Sequence, residues 1–179
     1  MLVDMKYAQI PIVGFVAASG TGKTTLLTQI IPILKQKSLR IGLIKHSHHD
    51  FEIDQPGKDS FRLREAGASA VMLVSQYRRA LITELVTQQE PQLDDQLKQF
   101  DQSELDLILI EGFRAEIFPK IELHRSSLTH PLLYPNDPQI IAIATDVALE
   151  IPNYLTQLDL NQPEIVADFI QNYVMKNHE

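Results

Sequence analysis

Apolar residues occur along this chain in short runs with no polar alternation, the pattern of strands that are buried on both faces of a sheet. The runs are rich in Ile, Val and Leu, and residues with helical spacing lie between several of them. This alternation predicts an α/β fold, with a mainly parallel sheet flanked by helices and some added antiparallel strands. The five runs cover residues 10–18, 40–46, 69–75, 105–113 and 139–146.

The clearest helix is predicted from about Lys23 to Gln36. Pro32 lies inside it and removes the hydrogen bond to the Thr28 carbonyl, so we expect a kink there. The spacing of its apolar residues is typical of a helix that buries one face. That face holds Leu26, Leu27, Ile30, Ile31 and Leu34.

Shorter elements are predicted in the rest of the chain. A second helix is expected to be capped by Asp59 and to end at Gly67, and a third covers residues 90–100. Added strands are expected over residues 80–86 and 119–125, followed by a proline-containing loop at 126–138. A last helix, opened by Pro163, has the apolar stripe Ile165, Val166, Phe169, Ile170, Tyr173 and Val174.

Composition narrows the class of protein. The chain has 179 residues, of which 44% are hydrophobic, and shows no linker, so we expect a single domain over residues 1–179. It contains no cysteine, which excludes disulfides and thiolate sites and favours a cytoplasmic location. The net charge of −7 argues against nucleic-acid partners. No apolar run approaches the roughly 18 residues of a membrane helix.

The stretch AASGTGKTT (17–25) matches the phosphate-binding pattern G-x-x-x-x-G-K-[ST], except that Ala17 replaces the first glycine. That position is the farthest from the phosphates, so the substitution weakens the match without breaking it. The glycines let backbone N–H groups turn toward phosphate oxygens, and the following helix N-terminus favours an anion. Lys23 supplies a charge for the phosphates, and Thr24 is a magnesium ligand. The predicted phosphate-binding residues are Ser19, Gly20, Thr21, Gly22, Lys23, Thr24 and Thr25.

A phosphate loop needs a distant acidic residue for its metal ion. Glu111 stands at the carboxyl end of the buried strand in LDLILIEGF, where ligands bind in sheets of this kind. The alternative is a strand-end carboxylate that faces solvent. Gly112 beside it would allow close approach of another backbone.

The stretch KHSHHDFEID carries His46, His48, His49 and Asp50 after the second strand. These residues predict either a transition-metal site or a loop that faces the γ-phosphate or a partner. Because no second ligand group and no cysteine are present, we do not expect zinc or nickel to be needed for folding. Asp50 is a candidate for the magnesium site. Lys58, just before a helix, indicates either a second anion site or an ordinary helix start.

Two further strand ends carry candidate residues. Arg78 and Arg79, in the turn SQYRRA, are expected either to stabilise a phosphate or to lie in solvent. Asp146, at the end of QIIAIATD, could accept hydrogen bonds from a guanine edge, but the usual preceding Asn-Lys pair is absent. These residues alone therefore do not establish guanine selectivity.

Taken together, the motifs resemble the molybdopterin-guanine dinucleotide biosynthesis protein B (MobB) family over almost the whole chain. The phosphate loop alone would indicate only the large superfamily of P-loop NTPases. Its combination with KHSHHD, PGKDS and EGF is much more specific. In that family the first loop position need not be glycine. The similar stretches are SGTGKTTLL, GLIKHSHHD, DQPGKDSFRLREAGA, SQYRRAL, LDLILIEGF, PKIEL with Arg125 near its end, and IIAIATDV.

The resemblance implies a homodimeric GTP-binding protein with at most slow GTPase activity and Mg²⁺ as its metal ion. It implies an accessory role beside the MobA-type guanylyltransferase that attaches GMP to molybdopterin, with molybdopterin as a further candidate ligand. Carried over, Ser19 to Thr25 bind phosphates, Thr24 and Glu111 hold magnesium, and Asp50 lies near the metal. The residue that orients the attacking water stays open among His46, Asp50 and Arg78.

Two other classes of function remain as alternatives. A small-molecule kinase would need an acceptor pocket and a catalytic base beside the γ-phosphate. A metal-delivery GTPase would usually show a cysteine-bearing metal motif, which this chain lacks. Transfer of phosphate to an acceptor, rather than to water, would distinguish the kinase.

Overall fold

Most of the apolar runs form one parallel sheet. The computed structural model describes residues 5–47, 50–86 and 89–176. In these ranges the sheet has six strands in the order β2-β5-β1-β6-β7-β8, and every adjacent pair is parallel. The elements in chain order are β1 (Ile12–Val16), α1 (Lys23–Gln36), β2 (Ile41–Lys45), α2 (Asp59–Glu65), β3 (Ala70–Val74), β4 (Arg79–Thr83), α3 (Leu93–Gln99), β5 (Leu107–Glu111), β6 (Lys120–His124), a 3₁₀ turn (Tyr134–Asn136), β7 (Ile140–Thr145), β8 (Thr156–Asp159) and α4 (Pro163–Lys176).

The chain divides into two compact units. The first comprises Met1–His46 and Gln92–Glu179 and contains the six-stranded sheet with α1, α3 and α4. The second comprises Ser47–Pro91 and contains α2 with the hairpin of β3 and β4. A single domain over residues 1–179 stays a prediction. In the described ranges no helix is long and apolar enough to cross a membrane.

The central strands are buried on both faces, as predicted for β1, β5 and β7. The same prediction is wrong for β2, which lies at the sheet edge and exposes Leu43. Alternate residues of a strand point to opposite faces, and each face is covered differently. Leu107 and Leu109 pack with α1 and α4, whereas Ile108 and Ile110 pack with α3. This arrangement explains why the strands are continuously apolar.

Helix α1 has the predicted bounds, and four of its five predicted apolar residues are buried. Ile31 is partly buried at the edge of the same cluster. Pro32 lies inside the helix, and the kink expected there stays a prediction. In α4, the predicted stripe is wrong at Ile165, which is 39% exposed, while Ala167 is fully buried.

The second unit departs from the sequence predictions in two ways. The run at 69–75 was expected to be buried on both faces, but in the described ranges β3 pairs only with β4, and Met72 and Val74 are exposed. A strand face is buried only where another layer packs on it, and in the described residues β3 belongs to none of the apolar core clusters. Asp59 was expected to cap α2, but it is the first helical residue, and no side chain caps this helix. Gly67 follows the helix end, as predicted, with φ of 107°.

Strand β6, predicted as an added strand, lies inside the main sheet between β1 and β7. Lys120 and Glu122 lie on the same face of this strand and are almost fully buried. Charged residues are rarely buried unless they are paired. Lys120 Nζ donates to Asp137 Oδ2 and to the Arg114 carbonyl, both at 2.8 Å. Strand β8, which the sequence analysis missed, is a half-exposed edge strand with the sequence TQLD.

Candidate functional site

The stretch 17–25 forms the connection between β1 and α1, as the motif requires. Gly20 and Gly22 have φ of 80° and 96°, the left-handed conformation that other residues rarely adopt. Between them Thr21 is buried, and its hydroxyl donates to the Ala18 carbonyl at 2.8 Å. Helix α1 starts directly after Gly22, with no side-chain cap and no acidic residue in its first turn. The loop therefore leads into a helix N-terminus whose backbone N–H groups are suited to an anion.

Glu111 lies beside this loop. It ends β5, the strand next to β1, and pairs in register with Phe15. Together with residues 18–25, Glu111 lines an open cavity of about 340 Å³. The structure thus brings all seven predicted phosphate-binding residues and the predicted acidic residue to one cavity at the carboxyl edge of the sheet.

The carboxylate of Glu111 is largely shielded from solvent, and Lys45 pairs with it. Only 13% of the Glu111 side chain is exposed, and its Oε2 lies 3.2 Å from Lys45 Nζ. Thr24 also lines this cavity. A carboxylate and a hydroxyl are oxygen ligands of the kind that Mg²⁺ prefers. The side chains of Thr24 and Glu111 therefore fit a magnesium ion, which would supply positive charge to the phosphate oxygens.

His46 lies next to Glu111 at the end of β2. Its backbone N–H donates to the Glu111 carbonyl at 2.8 Å, and its ring stacks on Phe113 at a centroid distance of 4.8 Å. The predicted close approach at Gly112 is present: a Cβ there would stand 2.6 Å from the Cβ of His46. Glycine at this position is therefore required both by space and by its φ of 102°.

The structure describes only one of the other three candidates in the His-rich stretch. His48 and His49 lie outside the described residues. Asp50 belongs to the second unit, where it is exposed and its Oδ1 accepts a hydrogen bond from the Phe51 N–H. Among the residues that the structure describes, no cluster of three His, Asp or Glu could hold a metal ion. The roles of His46 and Asp50 stay predictions.

Arg78 and Lys58 also belong to the second unit. Arg78 is exposed in the turn of the hairpin, where its backbone carbonyl accepts a hydrogen bond from the Ser75 N–H at 2.9 Å. Lys58 is the residue before α2 and is exposed. A phosphate contact of Arg78 and an anion site at Lys58 stay predictions.

Sequence reasoning did not assign a role to Arg125, which contacts the phosphate loop. It follows β6, and its Nε donates to the Thr21 carbonyl at 3.0 Å. Its Nη1 lies 3.9 Å from Asp146 Oδ2 at the end of β7. The signal available in the sequence was charge: Lys120 and Glu122 lie on β6, and Arg125 follows it directly.

Glu122 is a second buried group near the loop that the sequence analysis missed. Burial raises the pKa of its carboxyl, while hydrogen bonds from backbone N–H groups act against that rise. Its two oxygens accept the N–H groups of Leu133 and Tyr134 at 2.7 and 2.9 Å. Glu122 therefore holds the proline-containing segment 126–138 against β6.

A glycine loop between the first strand and helix of a parallel sheet, with a carboxylate on the neighbouring strand end, defines a P-loop NTPase-like α/β protein. Comparison with known proteins gives the family within this class. The chain belongs to the MobB family: the family model described as molybdopterin guanine dinucleotide synthesis protein B matches residues 12–146. The family resemblance and the predicted fold class are thus confirmed.

Relatives support this assignment over nearly the full chain. The molybdopterin-guanine dinucleotide biosynthesis adapter protein of Haemophilus influenzae is 46% identical over 171 residues, covering 95% of this chain and 93% of that protein. The protein of the same name from Escherichia coli is 46% identical over 170 residues, covering 94% and 96%. Among solved structures, Bacillus subtilis MobB is similar in fold, with a TM-score of 0.72 at 23% identity over 92% of this chain and 98% of that one.

Proposed function

We propose that this protein is a GTP-binding adapter in the synthesis of molybdopterin guanine dinucleotide, with only slow hydrolysis of its own. The observation that carries the proposal is the single cavity in which the phosphate loop and Glu111 meet. The relatives at 46% identity are named adapter proteins of this biosynthesis. A protein that uses GTP in this role would work in the cytoplasm.

The geometry of the loop favours a polyphosphate as ligand. Two glycines have the left-handed conformation that lets backbone N–H groups turn toward a phosphate, and α1 begins with the positive end of its dipole at the same place. Lys23 is the first residue of α1, so its charge is available to the β- and γ-phosphates. We expect Thr24 and Glu111 to hold Mg²⁺ beside them.

Slow hydrolysis is expected because the described residues that line the cavity include no evident base. The residues that line it include one carboxylate, Glu111, which we assign to the metal ion and which is paired with Lys45. His46 packs its ring on Phe113, next to the cavity rather than among its lining residues. A partner that supplies or repositions a residue would then be needed for faster turnover.

The adapter names of the relatives imply a partner, and we propose the guanylyltransferase that joins GMP to molybdopterin. The GTP bound here has the same nucleoside as the substrate of that transfer. The adapter would present or retain GTP near the transferase. Molybdopterin is a further candidate ligand.

Nucleotide selectivity provides the direct test. Titration calorimetry with GTP and ATP, each with and without Mg²⁺, is expected to show tight binding only for GTP, strengthened by Mg²⁺. Phosphate release from the isolated protein should be well below the roughly 1–10³ s⁻¹ of typical enzymes. Rapid turnover, or transfer of phosphate to a small acceptor, would instead support a kinase. Stronger binding of GTP after the addition of purified transferase would support the adapter role.

We also propose that the protein is a homodimer that uses the β3–β4 hairpin. An isolated two-stranded hairpin is marginally stable in water. Within the described residues neither strand has a partner other than the other strand. Met72 and Leu81 pair directly across it and are 54% and 60% exposed. A second copy of the chain would cover this apolar surface and the free strand edges.

Replacing Met72→Glu together with Leu81→Lys is expected to convert the dimer to a monomer. The opposite charges face each other across the strands and preserve the hairpin, while the apolar surface is lost. Light scattering gives the mass in solution. The matched control exchanges the two residues, Met72→Leu with Leu81→Met, and should remain dimeric. A wild-type monomer, or a charged variant that stays dimeric, would contradict this interface.

A further inference from the structure

Arg125 follows β6, and its guanidinium group contacts groups that follow the strands on either side of it. Strands β1, β6 and β7 lie side by side, so the phosphate loop, Arg125 and Asp146 all lie at the carboxyl edge of the sheet. Arg125 Nε binds the Thr21 carbonyl at 3.0 Å, and Nη1 lies 3.9 Å from Asp146 Oδ2. About a third of the Arg125 side chain is exposed, so solvent screens this ion pair only in part.

The contact at Thr21 determines the direction of one peptide group. The carbonyl of Thr21 and the N–H of Gly22 belong to the same planar trans peptide and point in opposite directions. Holding this carbonyl toward Arg125 therefore turns the Gly22 N–H the other way. Left-handed glycines on both sides of Thr21 make rotation of this peptide easy. A side-chain contact is thus the means by which its orientation becomes fixed.

Asp146 is a counterion of Arg125, and a hydrogen bond from the backbone holds its carboxylate in place. Asp146 Oδ1 accepts the Ser126 N–H at 2.8 Å, and hydrogen bonds from Ser126 lower the pKa of Asp146, with a smaller contribution from the charge of Arg125. Asp146 is not among the residues that line the phosphate-loop cavity. It lines a separate cavity of about 270 Å³ at the ends of β7 and β8.

We infer that Arg125 is a positioning residue, which fixes the Thr21–Gly22 peptide of the phosphate loop against the anchored carboxylate of Asp146. Affinity for a triphosphate then depends on Asp146, a residue outside the loop cavity. This inference rests on the proposed nucleotide binding at the loop. It predicts that two strand ends act together in holding phosphate.

The experiment compares variants in their binding of inorganic triphosphate and of GTP by calorimetry. Arg125→Ala is expected to bind both ligands at least about tenfold more weakly, equivalent to 1.4 kcal/mol, because the peptide is free to rotate. Arg125→Lys should be weakened similarly, since an ammonium group cannot reach both partners. Arg40→Ala is the matched control: Arg40 also binds carboxylates, at the amino end of β2. Its affinities should equal those of wild type.

Asp146→Asn tests the connection itself, because asparagine retains an oxygen for the Ser126 N–H and loses only the charge. It should weaken triphosphate binding in the wild-type background and have no further effect in Arg125→Ala. Melting curves of all variants show whether they fold. If Asp146→Asn binds triphosphate like wild type, or if Arg125→Lys restores full affinity, Arg125 is not a positioning residue. A wild-type protein that binds neither ligand would overturn the proposed function as well.

Discussion

Lys23→Ala is expected to weaken GTP binding by roughly a hundredfold, since a charge-assisted hydrogen bond contributes up to about 3 kcal/mol. Lys23 begins α1 and lines the phosphate-loop cavity. Lys23 is only partly buried, so its removal leaves no void in the core. Alanine has the highest helix propensity, so α1 should form normally. The melting temperature is therefore expected to stay close to that of wild type while affinity is lost.

A matched control shows whether the effect comes from the charge at the phosphate loop or from the loss of any positive charge on α1. Lys35→Ala removes the same charge from the last turn of the same helix. It should bind GTP as wild type does. Titration calorimetry measures both affinities, and thermal unfolding measures both stabilities. A Lys23→Ala variant with wild-type affinity would show that the loop is not the nucleotide site.

Glu111→Gln is expected to remove most of the gain in GTP affinity that Mg²⁺ provides, about tenfold or more. A neutral amide cannot balance a divalent cation, and amide oxygens are weaker ligands for it than carboxylates. The sheet should be unaffected, since the amide has nearly the same size and the Glu111 backbone still accepts the His46 N–H. Loss of the carboxylate also leaves Lys45 without its partner at 3.2 Å, which places an unbalanced positive charge beside the metal.

The measurement is the ratio of GTP affinities with and without Mg²⁺. Glu104→Gln provides the control, because Glu104 is highly exposed and pairs with Arg40 away from the cavity. That variant should show the wild-type ratio. An equal Mg²⁺ dependence in Glu111→Gln and wild type would argue against a metal role at the end of β5.

Local pattern was sufficient for much of the first unit. The continuous apolar runs predicted β1, β2, β5 and β7, and helical spacing gave α1 with its bounds. The loop and Glu111 were found because the motif lies within nine residues and the acidic residue ends a conspicuous strand. Their meeting in one cavity follows from parallel topology, which brings carboxyl ends of strands to one edge.

Other features depend on neighbours that are distant in sequence. The run of β3 is apolar like the others, but burial depends on whether another layer packs on the strand, and in the described residues β3 belongs to no core cluster. Strand β8 has too few apolar residues to be distinguished from a loop. Arg125 contacts Thr21 and Asp146 only because β6 lies between β1 and β7 in the sheet. The order of the strands is not visible in a local motif, so the sequence did not indicate these contacts.

The buried carboxylate of Glu122 has a consequence for the path between β6 and β7. Parallel strands are usually joined through a helix, whose backbone satisfies its own hydrogen bonds. Here the described connection contains only a short 3₁₀ turn, and the strand itself supplies acceptors for the N–H groups of Leu133 and Tyr134. In hydrogen exchange these two amides should behave like sheet amides, far slower than the rest of an exposed loop. Strand β6 thus gives this crossover the rigidity that a helix would otherwise provide.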